Sequence, residues 1–146
     1  MALGLALQAL AADGELRPLA LADLEVPEVL FELAFVDADN AMRIAREEIF
    51  GPVACVIRAQ DYDEALALAN DTEFGLCTGI VTTSLKHASH FKRHAQAGMV
   101  MVNLPTAGVD YHVPFGGLKG SSYGPREQGR YAAEFYTTVK TAYIAP

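Results

Sequence analysis

The sequence predicts an α/β fold: a layered, mostly parallel sheet with crossover helices, closed by a C-terminal strand. Three observations carry this reading. Apolar, β-prone runs alternate with helix-periodic segments from about residue 33 onward. Each switch is marked by a capping residue or a Gly/Pro breaker. Met99-Val100-Met101-Val102 is a near-continuous apolar run, of the kind buried on both faces of a parallel sheet.

Taken in order, residues 1–12 are Leu/Ala-rich, but no Lys or Arg precedes the apolar stretch and Gln8 interrupts it, so a short helix is expected rather than a secretory signal. Residues 13–32 mix acidic and apolar residues with breakers at Gly14, Pro18 and Pro27, and suggest no site. Leu33–Val36 reads as a short strand. Asp37 or Asp39 can cap a helix running to about Glu47. Gly51-Pro52 ends that unit, and Val53–Arg58 reads as the next strand. Asp61 caps a second helix, with Glu64 placed as in a capping box. Leu76–Thr82 is a third strand, after which Ser84 caps a helix that should end at Gly98. Beyond the Met99–Val102 strand, residues 104–130 hold three prolines and six glycines, a composition usually reserved for functional loops. Arg126–Phe135 can form a helix with Pro125 near its start, and Thr137–Ile144 reads as a final strand.

Composition narrows the function classes. The chain has 146 residues, enough for one ordinary domain, and is 51% hydrophobic with no Trp. A net charge of −7 repels nucleic acid, so no nucleic-acid partner is expected. No apolar run reaches the ~18 residues of a spanning helix, so no membrane partner is expected either. Two cysteines, Cys55 and Cys77, make no disulfide framework and suggest a reducing compartment, the cytoplasm.

Several stretches invite chemistry. In "EEIFGPV" (47–53), two adjacent carboxylates repel each other beside an apolar pair, which raises the question of what binds there. His87, His90 and His94 share one helix face, and His90/His94 have an i, i+4 spacing that can grip a metal. Lys86, Lys92 and Arg93 would repel a cation, so a solvated basic face is the stronger reading and no metal is expected. Cys77 has neither base nor cation beside it in sequence, and both cysteines read as small buried strand residues rather than nucleophiles. "GGLKGSS" (116–122) resembles a phosphate loop, but Leu118 precedes Lys119 and Gly120 follows it, which breaks the Walker pattern. A G-x-G-x-x-G dinucleotide fingerprint is also missing.

The ordered run "AREEIFGPV", "ANDTEFGLCTGIVT", "AGMVMVN", "VPFGGLKGSSYG" and "REQGRYAAEFYTTVKTAYI" resembles the C-terminal part of aldehyde dehydrogenases. The resemblance is continuous from about Phe35 to Ile144, and "MVNLPTAGVDYHVPFGG" looks most like the 2-oxoglutarate semialdehyde dehydrogenase branch. It implies three parts: a non-family segment 1–32, a partial catalytic domain 33–135 and an oligomerisation strand 136–146. It also implies NAD or NADP as cofactor. Glu48 would accept hydrogen bonds from the nicotinamide ribose, and Phe50 would pack beside the nicotinamide. Phe115 and Thr106 would border the aldehyde tunnel, while Lys119 and Arg126 hold the loop in place. One departure concerns the family's S-G-x-G-R-E, which here reads Ser121-Ser122-Tyr123-Gly124-Pro125-Arg126-Glu127.

The family's nucleophilic cysteine, its water-activating glutamate and its dinucleotide-binding domain lie upstream of this region and are not recognisable here, so no catalytic residue is assigned. The expected function is part of an NAD(P)-dependent aldehyde dehydrogenase, oxidising a small aldehyde such as a dicarboxylic semialdehyde and inactive alone. A homo-oligomer or a complementary fragment is the expected partner. The alternatives are an interaction module docking on a fuller subunit, and an unrelated binding domain using His90/His94.

Overall fold

The computed structural model describes residues 33–51 and 53–146. Its elements follow the expected alternation. Strand β1 (Leu33–Phe35) leads through helix α1 (Arg43–Arg46) to β2 (Val53–Cys55). Helix α2 (Tyr62–Asn70) then precedes β3 (Cys77–Ile80), and α3 (Leu85–His94) crosses over to β4 (Met99–Val102). A single 3-10 turn at Lys119–Ser121 and helix α4 (Tyr131–Tyr136) complete the described elements.

Both strand pairings are parallel. Leu33 faces Val53 and Phe35 faces Cys55, while Cys77 faces Met99 and Ile80 faces Val102. The expected single layered sheet is thus two separate two-stranded sheets. Periodicity marks where strands lie but not which strands are neighbours, and four short strands supply only these two ladders. For the same reason β4 is not buried on both faces. It pairs with β3 on one side only, and Met99 alone of its residues is buried.

The helix starts follow local chemistry. Asp61 is extended at φ −153°, and its Oδ1 accepts from the Glu64 N–H at 2.9 Å. The Glu64 carboxylate reaches back to the Gln60 N–H rather than that of Asp61, a capping box displaced by one residue. Ser84 Oγ likewise accepts from the His87 N–H at 3.3 Å. Lys92, Arg93 and His94 in the last turn of α3 suit the negative end of its dipole.

The helix ends depart from expectation. α3 stops at His94, four residues before Gly98, because Asn70 takes over its terminus: Nδ2 donates to the His94 carbonyl at 3.0 Å and Oδ1 accepts from the Gln96 N–H at 2.8 Å. Gly98 serves close packing instead. A Cβ there would lie 2.7 Å from Gly117 Cα and closer still to the Gly116 carbonyl. α1 covers only Arg43–Arg46 of the expected 37–47 span, since Asp39 commits its carboxylate to the Ala41 N–H in a local turn. α4 begins at Tyr131 rather than Arg126, because Glu127 is held in an antiparallel bridge to Phe115. Beyond α4, residues 137–146 are exposed and no strand forms there: the expected Thr137–Ile144 strand has no ladder partner among the described residues.

The core is small. Ala59, Ile80, Phe91 and Met99 are the buried apolar residues among those described, with Thr82 beside them in burial. α3 packs on β4, placing Phe91 over the second sheet. Burial of such a ring contributes about 1.5–3 kcal/mol. Where β4 ends, Asn103 turns out of the sheet at φ +55°. Its side-chain amide accepts from the Thr82 N–H at 2.8 Å and donates to the Thr82 carbonyl at 2.9 Å, so that it extends the β3–β4 ladder as a peptide group would.

Candidate functional site

The turn after α1 answers the question posed by its two carboxylates. Arg43, one helical turn earlier, donates to both oxygens of Glu47, each at 2.8 Å, and holds that carboxyl below its ordinary range. Glu48 is left exposed, with no side-chain partner among the described residues. Beyond it, the Gly51 N–H donates to the Ile49 carbonyl at 2.7 Å and the Val53 N–H to the Gly51 carbonyl at 2.8 Å. Phe50 projects from this tight turn with 80% of its surface exposed. The pair therefore offers a free anionic acceptor and a bare aromatic face, which fits a vicinal diol beside a flat ring.

The turn is tied down from behind. Arg46 donates to the Asp71 carbonyl at 2.7 Å and to Asp71 Oδ2 at 2.6 Å, and Asn40 Nδ2 reaches the same carboxylate oxygen at 2.7 Å. The Arg46 guanidinium, by its hydrogen bond above all, pushes the Asp71 carboxyl below the usual carboxylate range. The flanking carbonyls of Asn70 and Thr72 accept from Lys119 Nζ at 2.6 and 3.0 Å.

Lys119 belongs to the glycine-rich loop, which is a structural clamp rather than a phosphate cradle. Ser121 Oγ accepts from the Gly75 N–H at 2.8 Å, and Ser122 Oγ from the Gly117 N–H at 2.6 Å. The N–H groups of Leu118 and Gly120 donate to the Gly75 and Glu73 carbonyls at 2.8 and 2.9 Å. Arg126 donates to the Gly117 carbonyl at 2.8 Å. The expectation that Lys119 and Arg126 hold this loop is met. Phe115 is half-buried at its start, fixed by reciprocal 2.8 Å backbone bonds with Glu127.

Thr106 is also half-buried. Its methyl lies against Gly79, where a Cβ would approach to 3.0 Å, and its carbonyl accepts from the Cys77 thiol at 3.3 Å. The Thr106 hydroxyl oxygen is buried without a hydrogen-bond partner among the described residues. Burial pushes both the Cys77 and Cys55 thiols above their ordinary range, the opposite of an activated nucleophile. Glu48 and Phe50 thus precede β2 of the first sheet, Thr106 lies against β3 of the second, Phe115 pairs with Glu127, and no hydrogen bond or ring contact joins the two pairs among the described residues.

Two of the three histidines are taken up in packing against α2, while His94 stays exposed. Tyr62 of α2 stacks on His87 at 4.4 Å between ring centroids, shares a 2.8 Å hydrogen bond with His90 Nδ1, and His90 stacks on His94 at 3.9 Å. His87 and His90 are half-buried as the seam between α2 and α3. The solvated basic face holds for Lys86, Lys92, Arg93 and His94, which are exposed, but not for His87 and His90, because Tyr62 lies outside α3 and a single-helix projection omits it. No group of three or more His, Cys, Asp or Glu side chains able to hold a metal lies among the described residues.

Residues 29–142 match the model of the aldehyde dehydrogenase family. The chain belongs to that family. As a family member it is 51% identical over 110 residues to the alpha-ketoglutarate semialdehyde dehydrogenase of Haloferax volcanii, covering 75% of this chain and 23% of that protein. It is 43% identical over 112 residues to the alpha-ketoglutaric semialdehyde dehydrogenase of Bacillus subtilis, covering 77% and 23%. Among solved structures, HpcC from Thermus thermophilus matches with TM-score 0.68 and 41% identity, over 77% of this chain and 22% of that one. A mutant of the P. syringae AldA indole-3-acetaldehyde dehydrogenase, in complex with NAD+ and IAA, matches with TM-score 0.69 and 42% identity, over 76% and 22%. The chain therefore spans about a quarter of the length of the curated relatives it matches, 23% of each of the two named.

The residues that sequence reasoning missed are Arg43, Arg46, Asn40 and Asp71. Arg43 carried a legible signal, a Glu four positions on. Arg46 and Asp71 are 25 residues apart and carried none.

Proposed function

We propose that this aldehyde dehydrogenase chain supplies the cofactor-facing turn and part of the substrate channel of an NAD(P)-dependent enzyme that oxidises an aldehyde to a carboxylate. The observation that carries the reading is the division of labour between adjacent carboxylates: Arg43 occupies Glu47 and leaves Glu48 free beside the exposed ring of Phe50. Glu48 accepts hydrogen bonds from the ribose hydroxyls of the nicotinamide nucleotide, and Phe50 limits where the nicotinamide ring can lie. When bound, the dinucleotide supplies the hydride acceptor.

On the substrate side, Phe115 and Thr106 border the aldehyde channel, Thr106 set against β3 and Phe115 fixed by its bridge to Glu127. The two relatives named above are semialdehyde dehydrogenases of a dicarboxylic acid, which supports a small dicarboxylic semialdehyde as the substrate class. Neither Cys55 nor Cys77 is read as the nucleophile: both are half-buried strand residues, the Cys77 thiol donates to the Thr106 carbonyl, and burial raises both thiols rather than activating them, so no aldehyde oxidation is expected of this chain by itself. Assembly with a further chain through residues 136–146 completes the reading.

The test is a dinucleotide titration of a complete enzyme that carries this segment. Glu48→Gln keeps the side chain's shape but removes its charge-assisted bonding, worth about 1.5–3 kcal/mol for one such bond. The dissociation constant for NADH should rise roughly tenfold or more. An unchanged constant would reduce Glu48 to a surface charge and remove the basis of the cofactor reading.

A further inference from the structure

Resting on that cofactor reading, we propose that Arg46 is a positioning residue for the dinucleotide, acting through Glu48 by gripping Asp71. Helix α1 cannot hold the turn itself. It has four residues, none of them buried, and isolated helices of that length are not stable. What fixes it is a clasp on one residue at the end of α2. The Asp71 N–H is already committed to the Ala67 and Leu68 carbonyls, at 2.9 and 3.2 Å. Its carbonyl and carboxylate then take Arg46, and the same two groups take Asn40 Nδ2, at 3.1 and 2.7 Å.

Segment 40–46 is thereby held at both ends on a single acceptor residue. Glu48 follows two residues later with no anchor of its own. The acceptor residue is itself steadied from the opposite side, because Lys119 draws in the carbonyls before and after it. Exposed ion pairs contribute little to stability, but a planar guanidinium donating to a backbone carbonyl and a carboxylate together fixes direction. The clasp therefore aims the turn more than it prevents unfolding.

The experiment is an NADH fluorescence titration of the complete dehydrogenase carrying this segment, with aldehyde KM measured in parallel. Arg46→Ala should raise the NADH dissociation constant about threefold to tenfold, while leaving the aldehyde KM within about twofold. Arg46→Lys, which keeps the charge but not the fork, should recover part of the loss. Asp71→Ala combined with Arg46→Ala should add little to the larger single effect, because the two act as one unit. A normal NADH constant in Arg46→Ala, even with a lowered melting temperature, would overturn the inference, as would equal weakening of both ligands. Glu48→Gln run alongside separates the two claims. A defect there with a normal Arg46→Ala sinks this inference alone, whereas normal binding in both sinks the cofactor reading as well.

Discussion

At the scale of single residues, Gly98 shows how one letter can carry two physical meanings. After a helix-periodic run it reads as a C-terminal cap, and a left-handed glycine is the natural expectation. In the fold it is the point where β4 begins against the backbone of the glycine-rich loop. Its N–H donates to the Gly75 carbonyl at 2.9 Å, and Arg126 and Gly116 fill the space where a side chain would stand. Gly98→Ala in a complete enzyme should therefore cost at least about 1–3 kcal/mol, since backbone rather than a flexible side chain must move. Thermal denaturation would register this as a clear fall in melting temperature, and an unaltered melting curve would show that the loop can give way. The residue-scale features that were legible, Asp61 and Ser84 as caps and Lys119 and Arg126 as loop anchors, depend on neighbours in sequence or on a loop known to need fastening. The Arg46–Asp71 clasp depends on two helices meeting, which no local pattern encodes.

At the scale of elements, α2 is the organising piece. Its apolar face and its cap were readable, but its end was not: Asn70-Asp71 looks like an ordinary polar exit. Asn70 satisfies two backbone groups at and just beyond the end of α3, and its own carbonyl receives Lys119. Asn70→Ala should leave the His94 carbonyl and the Gln96 N–H without those partners, at a cost of about 1–3 kcal/mol. Asn70→Asp keeps the acceptor and loses the donor, so calorimetry should place it between the wild type and the alanine variant. Equal melting temperatures for all three would mean that water replaces the side chain fully. The expected strand positions were right to within a residue or two at β1, β3 and β4, because period and breakers are local. The pairing of four strands into two ladders was not legible, because neighbours in a sheet are settled by chain-distant contacts.

At the scale of the whole molecule, large apolar side chains on the tail remain in water. Val139 is 98% exposed, Tyr143 95% and Ile144 93%, in a segment rich in β-branched and aromatic residues. That composition favours a strand, and no ladder partner pairs with the segment among the described residues. The chain should self-associate in solution, and deletion of residues 136–146 should relieve it. Light scattering that finds a monodisperse monomer at high concentration before the deletion would end this expectation. A different consequence follows from the end of α2. Three successive carbonyls, those of Asn70, Asp71 and Thr72, are each claimed by a donor from elsewhere in the chain. One inserted or deleted residue there would shift the three groups along the chain and misalign every claimant at once. Length can drift at the open turn around Gly108, where a side chain would meet nothing within 4 Å, but not at residues 70–72.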